Sequence, residues 1–127
     1  MTANLRALVR DVPDFPQPGI LFRDITPLLR DAAGLQDTID ALVAPWSPGD
    51  VDYVAGIEAR GFVLGPSVAL RLHAGFLPVR KAGKLPCAVT RQEYDLEYGS
   101  AAIELHRDAL EEGDRVVIVD DVLATGG

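Results

Sequence analysis

Apolar positions recur at helical spacing in three stretches of this chain and form short strand-like runs in four more. In NLRALVRDV, Leu5, Leu8 and Val9 share one helical face, and Pro13 and Pro16 forbid continuation. GLQDTIDALVAPW is a second amphipathic helix, with Leu35, Ile39, Leu42 and Val43 in phase and Pro45 at its end. ARGFVLGPSVALRLH reads as a third, although Gly65 and Pro66 interrupt its interior. The strand-like runs are YVAGI, GFLPVR, AAIELH (Ile103 and Leu105 on one side) and RVVIVD. DFPQPGILFRD is a stiff, non-helical loop that delivers Ile20, Leu21 and Phe22, while SPGDVD and LEEGD carry turn chemistry. KAGKLPCAVTRQEYDLEYG has no sustained period and is the longest weakly ordered stretch.

Strands alternating with helices predict an α/β fold, with a mostly parallel sheet flanked by helices. Ligands of such sheets bind at the carboxyl ends of the strands, where this chain carries IEARG, VRKAGK and VDDVLATGG. The length of 127 residues allows one domain. A hydrophobic fraction of 48% with 24% charged residues is ordinary for a soluble globular protein. The longest apolar runs, such as FVLGPSVAL, are too short to span a bilayer, and MTANLRALVRD lacks an apolar signal core. One cysteine, Cys87, excludes an internal disulfide and fits a reducing cytoplasm. The net charge of −7 disfavours general nucleic-acid or membrane-surface binding, so an anionic ligand needs a local cationic cluster.

Asp120 and Asp121 emerge from the last strand. Adjacent carboxylates repel, so such a pair is either well solvated or held for a purpose. Carboxylates accept hydrogen bonds from paired sugar hydroxyls and sit well near Mg²⁺. Behind them Ala124, Thr125, Gly126 and Gly127 offer successive N–H groups with little bulk, a composition that nests phosphate. A diol and a phosphate side by side describe a ribose 5-phosphate; a turn with two solvated acids is the plainer alternative. Arg80, Lys81, Lys84 and Arg91 give four positive charges and no acid between residues 80 and 91. Such a cluster suits a departing pyrophosphate, or is a solvated face. Arg60 reads as a helix-start residue facing solvent, with Glu58 as its simplest partner. Glu97 is one of three acids in EYDLE; Tyr94 and Tyr98 suit loop packing. Leu21, Phe22 and Arg23 follow a Pro-Gly turn and suit a core or a pocket. His73 and His106 lack metal-ligand spacing to cysteine and read as structural; no nucleophilic role is expected of Cys87.

VVIVDDVLATGG resembles the phosphoribosyl pyrophosphate (PRPP) motif of type I phosphoribosyltransferases. PDFPQPGILFRDITPLL, IEARGF, VRKAGKLP and YDLEYG resemble, in order, signatures of the adenine phosphoribosyltransferase family, so that the resemblance runs from about Val12 to Gly127. It implies the type I phosphoribosyltransferase fold, one domain over residues 1–127, and the reaction of adenine with PRPP to give AMP and pyrophosphate. It implies that Asp120, Asp121, Ala124, Thr125, Gly126 and Gly127 hold the ribose and its phosphate. Arg60, Arg80, Lys81 and Lys84 match the family's pyrophosphate contacts. Leu21, Phe22 and Arg23 match its adenine pocket, with Phe22 stacking on the base. Glu97 matches the acid–base group, on a long loop that closes over the site. The resemblance further implies Mg²⁺ bound mainly through PRPP, with no direct protein ligand, and a cytoplasmic homodimer. A transferase for another purine base, or a PRPP-binding regulator on the same fold, is the alternative. The family's motif continues with a Thr, a helix and a further core strand, so the chain is expected to be C-terminally incomplete and a weak PRPP binder as given.

Overall fold

The computed structural model describes residues 4–96 and 99–122. The chain forms two compact units, Met1–Ala44 and Pro45–Gly127.

The first unit starts with a single 3-10 turn, Leu5–Leu8, whose Asn4 side chain accepts from the Ala7 N–H. The helix expected over NLRALVRDV is thus only this turn. Strand β1, Arg10–Pro13, follows and pairs antiparallel with β2, Leu21–Asp24. Charge pairing across the hairpin wins over helical spacing: Arg10 faces Asp24 and Asp11 faces Arg23, and both pairs form ion contacts. The stretch expected as loop at Leu21–Phe22 is therefore strand. Asp24 also accepts the Thr26 N–H at 2.9 Å. Its carboxyl is held down to about 2, chiefly by Thr26 and then by Arg10. Helix α1, Thr26–Arg30, was not legible in the pattern; α2, Ala32–Val43, coincides with the second predicted helix. Asp31 caps α2 by accepting the Gly34 N–H at 2.7 Å. Leu28, Ile39 and Val43 are buried in this unit.

The second unit is a five-stranded sheet. Its strands are β3 (Tyr53–Ile57), β4 (Gly75–Lys81), β5 (Val89–Leu96), β6 (Gly99–His106) and β7 (Val116–Val119), in the order β5-β6-β4-β3-β7. β4, β3 and β7 run parallel, and the β5–β6 hairpin joins β4 antiparallel. Strand β5 lies within the stretch expected to be weakly ordered. Its described side chains Val89–Asp95 are exposed or only half-buried, so no hydrophobic stripe marks it. On β6 the buried positions are Ala102 and Glu104, not Ile103 and Leu105. Helix α3, Arg60–Arg71, covers the parallel strands with Gly61, Leu64, Gly65, Val68 and Ala69, a stripe at i, i+3, i+4 spacing. Pro66 sits on the exposed side of this helix, which continues through it. The helix ends where His73 takes a φ of +54° and Ala74 N–H reaches back to the Ala69 carbonyl at 2.9 Å. His73 thus serves as a helix stop, which agrees with a structural role.

Two glycines set how closely α3 approaches the sheet. A Cβ on Gly56 would lie 2.4 Å from the Gly61 carbonyl oxygen, and one on Gly61 would lie 2.8 Å from the Val119 carbonyl oxygen. The start of α3 is thereby pressed against the ends of β3 and β7.

Candidate active site

Register brings the predicted residues of the second unit together. Gly56 on β3 is level with Pro78 on β4 and Val119 on β7, so β3 and β7 end within a residue of each other while β4 runs on to Lys81 beside them. Glu58 leaves β3, Arg80 and Lys81 close β4, and Asp120 and Asp121 leave β7. This is the rim where open parallel sheets take their ligands.

Glu58 is the hub of the basic group. Its side chain is only 10% exposed and accepts from Arg80 Nε at 3.3 Å, from the Lys81 backbone N–H at 2.9 Å and from Lys84 Nζ. These contacts hold its carboxyl down at about 2, with Lys84 the largest cause and the Lys81 N–H next. Its carboxylate grips the β4 end. Sequence spacing could not show this, because 22 residues separate Glu58 from Arg80. Arg80 also lies over the Phe62 ring, 6.0 Å from its centroid.

Arg60 opens α3 and turns to β7, with its Nε 3.0 Å from Asp121 Oδ2. Asp121 is only 5% exposed, whereas Arg60 remains 45% exposed. Burial is the main force raising the Asp121 pKa; a hydrogen bond with Asp120 and the Asp120 charge add to it, and Arg60 opposes it. The Asp121 N–H donates to Asp120 Oδ1 at 2.8 Å, so Asp120 shapes the turn that follows the strand. The two acids are thus not equivalent: one is exposed and the other is packed against a guanidinium.

The remaining basic residue, Arg91, stands on β5 beside Glu93 at 3.3 Å and Glu104 at 4.0 Å. Cys87 is exposed and lines a 270 Å³ cavity with Ala88, Arg107 and Asp108. Glu97 and Tyr98 lie outside the described residues, as do Ala124, Thr125, Gly126 and Gly127.

In the first unit, Leu21, Phe22 and Arg23 stand in succession on β2. Leu21 is half exposed and borders a 180 Å³ hollow with Pro13, Asp14, Gly19 and Ile20. Phe22 meets Phe15 edge to face at 5.2 Å, and Arg23 Nη1 lies 3.3 Å from Asp11. An exposed leucine beside an aromatic pair is the apolar kind of surface that a flat ring can use.

The Phosphoribosyl transferase domain family matches residues 26–127. The adenine phosphoribosyltransferase of Nostoc punctiforme is 59% identical over 98% of this chain and 73% of its own length. That of a Synechococcus species is 62% identical over 98% of this chain and 71% of its own. The crystal structure of the enzyme from Giardia lamblia, complexed with 9-deazaadenine, superposes with a TM-score of 0.92 at 42% identity, over all of this chain and 71% of that one.

Proposed function

The chain belongs to the adenine phosphoribosyltransferases, and from that premise we propose how its residues carry the transfer of a phosphoribosyl group from PRPP to adenine, giving AMP and pyrophosphate. In this reaction a purine nitrogen bonds to ribose C1. The bond from C1 to the pyrophosphate oxygen breaks with its electron pair, and the purine gives up a proton.

The observation that carries the assignment of roles is the joint emergence of Glu58, Arg80, Lys81, Asp120 and Asp121 from three parallel strands. Arg80, Lys81 and Lys84 stabilise the negative charge that builds on the departing pyrophosphate, with Arg60 beside them. Asp120 and Asp121 accept from the ribose hydroxyls, and the backbone of Ala124 to Gly127 receives the 5′-phosphate. Leu21, Phe22 and Arg23 form the base pocket, with Phe22 stacking on adenine. Glu97 takes the purine proton, its carboxyl desolvated by the substrate-covered site.

Mg²⁺ enters as part of the substrate, held through PRPP oxygens, where it screens the phosphate charge. Two neighbouring carboxylates, one engaged by Arg60, fit beside such an ion; among the described residues no group of His, Cys, Asp or Glu side chains forms a cage for it. The enzyme works as a cytoplasmic homodimer in this reading, which light scattering and cell fractionation test. The decisive assay measures nucleotide formation from PRPP and Mg²⁺ with adenine, guanine, hypoxanthine and xanthine in turn. AMP formation with adenine alone is expected. Equal turnover of another purine would overturn the base assignment.

A further inference from the structure

We propose that Glu104 is a positioning residue that holds the basic segment 80–84 in the geometry pyrophosphate requires; this rests on the pyrophosphate assignment of Arg80, Lys81 and Lys84 above. Glu104 is a buried charged residue, 7% exposed, on a strand whose neighbouring inward position is Ala102. A buried carboxylate is costly unless it is paired and hydrogen-bonded. Its surroundings meet that demand in two ways.

The first is register. Glu104 on β6 is the direct partner of Arg80 on β4 and of Arg91 on β5. Directly opposed residues project from the same face of a sheet. A row Arg80–Glu104–Arg91 therefore crosses three strands, with the acid between two arginines. Arg91 Nη1 lies 4.0 Å from Glu104 Oε2. Without the acid, two like charges would share that face with nothing between them.

The second is the main chain of the basic segment. Glu104 Oε1 accepts the Gly83 N–H at 2.8 Å. Gly83 has a φ of +85°, so it is the residue at which the chain reverses after β4. The three successive amides of this segment are all engaged: Lys81 N–H by Glu58 Oε1 at 2.9 Å, Ala82 N–H by the Ala102 carbonyl at 3.2 Å, and Gly83 N–H by Glu104. The segment is thus gripped at each amide, two of them by carboxylates. It meets an anion with the side chains of Arg80, Lys81 and Lys84, and their spacing depends on that grip. Glu58 serves from β3 and Glu104 from β6.

The test compares Glu104→Leu, which removes both the acceptor and the charge, with Glu104→Gln, which keeps an acceptor for Gly83. Pyrophosphate binding is measured by calorimetry with Mg²⁺ present, and KM for PRPP and for adenine are measured beside it. In Glu104→Leu the pyrophosphate Kd and the PRPP KM should rise about tenfold, the scale of one lost charge-assisted hydrogen bond, while the adenine KM stays unchanged. Glu104→Gln should recover most of this, with a Kd still slightly above that of the parent. If Glu104 were only a nearby negative charge, neutralising it would tighten pyrophosphate binding. A lowered Kd in Glu104→Gln therefore overturns the proposal, and that variant decides the matter even where Glu104→Leu does not fold. An unchanged Kd in a folded Glu104→Leu, or an adenine KM that rises in step, also overturns it. A parent protein that binds no pyrophosphate removes the site assignment and this inference together; a parent that binds, with unaffected variants, removes this inference alone.

Discussion

Asp121 and Glu58 are carboxylates on one rim whose surroundings push them in opposite directions. Glu58 is held down at about 2 by Lys84, the Lys81 N–H and Arg80, so its grip on the β4 end persists throughout the neutral range. Asp121 is raised, chiefly by burial. Its folded pKa lies above its unfolded one, so the fold favours its protonated form. The corresponding stability is fully present below the unfolded pKa and is lost as pH rises through the folded pKa. Asp121→Asn removes that dependence. It should raise Tm at neutral pH and flatten the stability profile across the acid range, yet weaken PRPP binding by about 1.5–3 kcal/mol, the worth of a charged hydrogen bond. Melting curves over a pH series and a PRPP titration check both halves; a lower neutral Tm would mean that the Arg60 contact outweighs burial. For Glu97 the expectation concerns chemistry: Glu97→Gln should lower kcat by roughly 10² with PRPP binding nearly intact. An unchanged kcat would remove it from the mechanism.

At the scale of elements, the approach of α3 to the sheet is fixed by main-chain clearance. A methyl at position 61 would meet the Val119 carbonyl oxygen at 2.8 Å, and backbone cannot swing aside as a side chain can. Gly61→Ala should therefore cost about 1–3 kcal/mol, measured as a fall in the urea midpoint, and should weaken PRPP binding through Arg60 and Asp121. A wild-type midpoint would show that the helix can retreat freely. The same scale explains what could be read in advance. YVAGI was legible because a buried central strand is apolar throughout, RVVIVD because it is an unbroken run of β-favouring residues even though its strand lies at the sheet edge with Ile118 exposed, and α2 because one face of it is buried. β1 and β5 were not. Arg10–Pro13 and Val89–Leu96 carry no hydrophobic stripe and owe their strand character to their hairpin partners, and the ion pairs of the first hairpin mean nothing until the register is known. Glu104 escaped notice for a related reason. Ile103 and Leu105 stand out as the apolar side of this strand, and only pairing with Arg80 and Arg91 makes a buried glutamate on the other side sensible.

Across the whole molecule, a net charge of −7 surrounds a small basic segment. The far field repels an anionic substrate, while contact distance attracts it. Salt screens the far field first, because the Debye length is about 10 Å at 0.1 M. Stopped-flow association of pyrophosphate should therefore speed up modestly from low salt to about 0.1 M, opposite to a steered anion site. A rate that falls over this range would show that the basic segment governs the field at long range. The engaged amides of residues 81–83 have a further consequence, for isotope labelling. Because these N–H groups already have protein acceptors, deuterium uptake at 81–83 should be slow without ligand and nearly unchanged when pyrophosphate arrives. The ligand should instead shield the Lys81 and Lys84 amines from acetylating reagents. Occupancy of this site is thus invisible to a backbone probe and plain to a side-chain one, and a large drop in uptake at 81–83 would mean that the main chain is free to greet the anion after all.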